Sequence, residues 1–113
     1  MDRTIEKYRN AIISVMEEYA EIRQHSVNGS KYELIADDKN QRYQLVLLGW
    51  HGKHRMYHVI FHVDIINGKI WVQQDNSEDA IANMLLEKGI SKKEIVLGYF
   101  SEFHRAHGEF AVA

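Results

Sequence analysis

The sequence predicts an α+β domain: a long N-terminal amphipathic helix and a second helix, packed on an antiparallel, hairpin-rich sheet of about four to five strands. Three observations carry that prediction. Apolar side chains recur at helical spacing through the first two dozen residues, alternation broken by turn residues follows from Lys31 to Gln74, and the helical period returns after Asn76. A chain of 113 residues holds one hydrophobic core and not two, so residues 1–113 read as a single domain.

Ile5, Tyr8, Ile12, Val15, Tyr19 and Ile22 stand alternately three and four residues apart, which draws one apolar stripe along a helix over residues 3–24. Asp2 is placed to cap its first turn. Asn28-Gly29-Ser30 breaks the pattern, because Asn and Gly tolerate positive φ. Two strands follow, Lys31–Ala36 and Arg42–Trp50, joined by the polar turn Asp37-Asp38-Lys39-Asn40-Gln41. Leu45 to Leu48 are apolar on both faces, which places the second strand inside the sheet. His51-Gly52-Lys53 turns the chain into a third strand, His54–Ile66, and Asn67-Gly68 turns it again into Lys69–Gln74. Asn76 or Ser77 is expected to cap the second helix, with Ile81, Met84 and Leu85 buried and Gly89 as its left-handed stop. Ser91 and Glu94 have capping-box spacing, so a short helical turn precedes a strand at Ile95–Leu97. The apolar chain end Phe110-Ala111-Val112 is expected to dock.

Composition excludes several function classes. There is no cysteine, which removes disulfides, thiolate nucleophiles and Cys-based zinc sites. The net charge of −2 argues against a protein that grips nucleic acid by itself. No apolar run has a membrane-spanning length, and MDRTIEKYRN lacks the apolar stretch of a signal peptide, so a cytoplasmic location with no membrane association is expected. Proline is absent, which removes slow X-Pro isomerisation from folding.

The hairpin at Asn67-Gly68 can be read residue by residue. A two-residue turn pairs Ile66 with Lys69, Asp64 with Trp71 and His62 with Gln73. Alternation then puts Val59, Phe61, Val63, Ile65, Ile70 and Val72 on the core side. His58, Ile60, His62, Asp64, Trp71, Gln73 and Asp75 fall on the opposite side. A tryptophan among polar groups on an outward face has the composition of a contact surface, so Trp50, His62, Asp64, Trp71, Gln73 and Asp75 are the candidate partner-binding residues. The third strand would run about 43 Å if regular, longer than the roughly 34 Å diameter of a compact chain this size, so it must bulge or project. That strand, the exposed tryptophans and the apolar chain end together predict a homodimer or higher assembly.

The same residues carry a resemblance. Gly49-Trp50, Gly52, Arg55, His62-Val63-Asp64-Ile65, Gly68-Lys69-Ile70-Trp71-Val72-Gln73, Asp75 and Glu78 resemble the XisI family. So do Ile81-Ala82, Leu85, Gly89-Ile90, Ile95-Val96-Leu97-Gly98 and Glu109-Phe110-Ala111-Val112-Ala113. The family is named for the fdxN element excision controlling factor of heterocyst-forming cyanobacteria. The resemblance implies an accessory factor for developmentally regulated, site-specific DNA excision that works with an XisH-like companion, itself similar to restriction-type endonucleases. One stretch departs from the family pattern: between Tyr99 and Glu109 the usual prolines and Arg-x-Tyr-Thr run are replaced by Phe100-Ser101-Glu102-Phe103-His104-Arg105-Ala106-His107-Gly108. A partner recognised through that stretch would differ for this chain.

Two functions of different class follow. The first is a regulatory module that binds a companion nuclease or recombinase, without catalytic residues, metal or cofactor of its own. DNA would be met only within the complex, with Lys53 and Arg55 of the basic cluster His51, Lys53, His54 and Arg55 as candidates for phosphate contact. The second is a small hydrolase or metal-binding domain using His62, Asp64 and Asp75, the best-spaced ligands in the chain. No nucleophile-elbow, phosphate-loop or zinc-protease motif supports it. The remaining histidines, His25, His51, His54, His104 and His107, are scattered through expected loops and ends.

Overall fold

The computed structural model describes residues 2–24 and 28–113, so His25 lies outside the described residues. The chain runs α1 (Arg3–Arg23), β1 (Ser30–Asp37), β2 (Arg42–His51), β3 (His54–Ile66), β4 (Lys69–Asp75), α2 (Ile81–Glu87), β5 (Ile95–Leu97) and α3 (Glu102–Ala106). The five strands lie in sequence order, with β1 to β4 antiparallel. The predicted antiparallel, hairpin-rich sheet is present, with one parallel pair at its end: β5 runs parallel to β4, because the α2 crossover returns the chain to the end of the sheet from which β4 started.

α1 and α2 cover one face. Asp2 caps α1 as expected, its Oδ1 accepting from the Ile5 N–H at 2.8 Å. The stripe Tyr8, Ile12, Val15 and Tyr19 is buried, and Tyr19 meets the fully buried Phe61 edge-on at 4.9 Å. Ile22 departs from expectation and is 71% exposed, since it lies one turn beyond the last buried contact of the stripe. Two further tyrosines use their hydroxyls at the rim of the core. Tyr8 donates to Glu94 at 2.5 Å and Tyr43 donates to Asp38 at 3.0 Å; burial, with that bond, pushes the Tyr43 phenol up to about 12.

The long strand bulges at Ile60, and its neighbour β4 bulges at Gln73. Opposite β2 the register slips between Leu45 and Val46, and opposite β4 it slips between His62 and Val63. Each slip shifts a side-chain assignment made from simple alternation. Ile60, expected on the outer side, is buried in the helix-side core, whereas Val59 is only partly buried. His62 pairs with Gln74, not Gln73, and Asp75 comes opposite the core residue Phe61. Asp75 therefore sits on the helix side, correcting its outer-face placement.

There it replaces the expected caps of α2. The helix begins at Ile81 with no side-chain cap from Asn76 or Ser77; instead Asp75 Oδ2 accepts from the Ile81 N–H at 2.8 Å, and Oδ1 accepts from the N–H and hydroxyl of Ser77 at 3.0 and 2.6 Å. Gly89 (φ 91°) ends the turn as expected, and the Ser91–Glu94 capping box forms around a 3-10 turn at Lys92–Glu94.

The chain end docks. Ala111 lies beside β5 as a parallel bridge to Val96, its N–H donating to Ile95 O at 2.9 Å, while Phe110 packs on the core and Val112 remains 39% exposed. Deleting residues 109–113 removes these bonds and the Lys92–Glu109 ion pair. It should cost about 2 kcal/mol, read as a fall of several degrees in Tm; an unchanged melting curve would show that the tail contributes nothing.

Candidate functional site

The sheet face away from α1 and α2 carries a polar cluster. Asp64 is the one buried charged residue among those described, with 5% exposure. Burying a carboxylate is costly unless its oxygens are satisfied, and three neighbours do so here. His62 Nε2–H donates to Oδ1 at 2.9 Å, Gln73 Nε2 donates to Oδ2 at 3.2 Å, and Arg42 Nε lies 3.7 Å from Oδ1. The other imidazole nitrogen, Nδ1, accepts from the Gln44 amide at 3.4 Å, so the pair of contacts fixes the His62 tautomer. The Asp64, His62 and Gln73 side chains thus form one hydrogen-bonded patch, half open to solvent through His62.

Trp71 stands cross-strand from Asp64, as read from the hairpin, but it is not bare. Its side chain is half-buried because the chain folds back over it after β5. The Arg105 guanidinium lies 5.4 Å from the ring, held there by donating to Val112 O (Nε, 2.7 Å) and Phe100 O (Nη1, 2.6 Å). Gly98 passes so close that a Cβ there would meet Gln73 Oε1 at 2.7 Å and Trp71 Cε3 at 3.2 Å. The expectation of an exposed Trp71 is corrected accordingly: its own C-terminal segment covers part of the indole.

That segment brings an apolar border to the site. α3 is capped by Ser101 Oγ, which accepts from the His104 N–H at 3.2 Å, and it leaves Tyr99 (45%), Phe100 (36%) and Phe103 (78%) exposed. Phe100 stacks on His104 at 4.4 Å and Phe103 leans on His107 at 4.6 Å. Beside them a groove of about 350 Å³ opens between Phe100, His104, Arg105 and Phe110. Trp71 and Arg105 therefore lie between a polar patch on one side and exposed aromatic rings on the other.

Two expected members lie elsewhere. Asp75 spends both oxygens at the start of α2, on the opposite face from His62 and Asp64, so the trio His62, Asp64 and Asp75 is not one ligand set. Among the described residues no three His, Asp or Glu side chains converge in a metal-binding arrangement. Trp50, Lys53 and Arg55 belong to the far end of the β2–β3 hairpin. Arg55, paired with Trp50, is nine residues along β3 from Asp64, about 30 Å by strand rise. There Arg55 covers the Trp50 ring at 5.5 Å and Trp50 stays 53% exposed, so this tip is a separate surface.

The structure adds Arg42, Gln44, Gly98 and Arg105 to the site. Arg42 faces Asp64 and Gln44 faces His62 directly across β2 and β3, a pairing that a two-residue turn at Gly52-Lys53 predicts only if the bulge at Ile60 is known. Gly98 and Arg105 carry no signal readable without the fold.

The family model described as XisI protein matches residues 1–112. The chain is similar to the crystal structure of a XisI-like protein from Anabaena variabilis ATCC 29413, with 31% identity, a TM-score of 0.89 and coverage of 96% of this chain and 99% of that one. It is also similar to the structure named fdxN element excision controlling factor XisI from the same strain, with 32% identity, a TM-score of 0.81 and coverage of 97% and 99%. A search of curated protein sequences finds no match.

Proposed function

The chain belongs to the XisI family, and from that membership we propose that it is a non-enzymatic controlling factor for site-specific DNA excision that acts by binding an XisH-like companion nuclease or recombinase. The observation that carries this reading is the outer face around Trp71 and Arg105. It joins a satisfied hydrogen-bonding patch (His62, Asp64, Gln73) to exposed rings (Phe100, Phe103), the make-up of an interface anchor with a polar rim. The similar protein named as an excision controlling factor supports the biological setting. The net charge of −2 favours DNA contact through the companion over a grip by this chain alone.

Co-expression tests it. A tagged chain should retain an XisH-like companion from the native cell through washes at moderate salt, whereas the isolated chain should leave labelled duplex DNA unshifted. Recovery of the tagged chain without the companion would count against the proposal, as would tight DNA binding by the chain alone.

A further inference from the structure

The sheet covers part of its outer edges: among the described residues Gln24 meets only the start of β1, and Leu34 and Ala36 beyond it have no backbone partner on that side. Beyond β5, Ala111 takes the next position and bonds to Ile95. Beside β1, the Gln24 side chain imitates a neighbouring strand: Nε2 donates to Ser30 O and Oε1 accepts from the Tyr32 N–H, both at 3.1 Å. β2 flanks the whole length of β3, but β4 flanks only Phe61 to Ile66, and Asn76 then covers Val59 and Ile60 by donating to their carbonyls at 2.9 and 2.8 Å. Among the described residues nothing pairs with the edge of residues 54–58. An open edge without proline or acidic side chain is a template for another strand.

We infer that this edge pairs with the same edge of a second copy of the chain, antiparallel and two-fold about Met56. Backbone direction limits the choice. The Val59 carbonyl points away from β2 to Asn76, so by alternation the N–H and C=O of Arg55 and Tyr57 point outward too. A two-fold axis at Arg55 would set arginine against arginine. An axis at Tyr57 would require the Val59 carbonyl that Asn76 already occupies. The axis at Met56 sets Arg55 opposite Tyr57 of the second copy, so both residues exchange backbone bonds and no cation faces a cation directly. Trp50, Arg55 and the second copy's Tyr57 then form one row across the joined sheets, extending the Trp50–Arg55 contact present in one copy. The row covers Trp50 (53% exposed) and Tyr57 (62% exposed). This inference does not depend on the excision reading.

The full chain contains no cysteine, so a single introduced thiol reports the pairing. At a two-fold between strands the two Met56 Cα atoms would lie about 4.5 Å apart, within the disulfide range of about 4.4–6.8 Å. Met56→Cys should therefore link into covalent dimers under oxidised glutathione, while Lys39→Cys on the β1–β2 turn should not. Light scattering should give the unsubstituted chain twice its mass of 13.2 kDa, and Tyr57→Pro, which removes an outward N–H, should give the mass of one chain with an unchanged circular dichroism spectrum. A monomer at several hundred micromolar would overturn the inference. So would a dimer that Met56→Cys does not link.

Discussion

Asp75→Ala is expected to lower stability by about 3–4 kcal/mol, which for a chain of this size is a fall of roughly 10–15 °C in Tm. The carboxylate receives the Ile81 and Ser77 N–H groups and the Ser77 hydroxyl, so its loss orphans the start of α2 and loosens the loop that leads into it. Ile81 and Leu85, both fully buried, are held in place by that helix start. His62→Ala should cost far less, under about 1 kcal/mol, because His62 is half-exposed and Asp64 keeps its contacts with Gln73 and Arg42. Equal effects of the two substitutions in a thermal melt would contradict the separation of Asp75 from the outer-face cluster.

Trp71→Ala is expected to act on two quantities at once. Removing a half-buried indole that touches Gly98 and lies under Arg105 should cost about 2 kcal/mol of stability. Arg105 also loses the ring that its guanidinium covers, so the segment 99–108 should shift and its exposed rings with it. Affinity for the XisH-like companion should fall at least tenfold in the folded fraction. Melting followed by differential scanning, together with binding measured well below Tm, separates the two effects. A loss of stability with full affinity would make Trp71 a purely structural residue.

The elements were legible where turn residues bracket a strand. Gly52-Lys53 and Asn67-Gly68 mark both ends of β3, and its bounds follow from them directly. What alternation could not reveal were the bulges at Ile60 and Gln73, since a bulge depends on how neighbouring strands pack and leaves no local mark. Those two bulges account for the misplaced Ile60 and Asp75 and for the unread Gln44–His62 pair. Asp64, Trp71 and the Ile66–Lys69 end of the hairpin lie on the turn side of the bulge, and their cross-strand pairing is as read, although the C-terminal segment covers part of Trp71. α3 left no signal because five residues carry no apolar stripe, and none of them is buried. Its effect on Trp71 is a tertiary contact through Arg105.

Phe103 offers the most direct measurement of the binding-module account. At 78% exposure its ring contributes little to the fold, so Phe103→Ala should leave Tm unchanged. Calorimetric titration of the XisH-like companion into the unsubstituted chain, Phe103→Ala and a Lys39→Ala control should then show saturable binding, weakened at least tenfold by Phe103→Ala and unaffected by Lys39→Ala. Absence of companion binding by the unsubstituted chain, together with magnesium- or manganese-dependent DNA cleavage that Asp64→Ala abolishes, would contradict the account and establish an enzyme in its place.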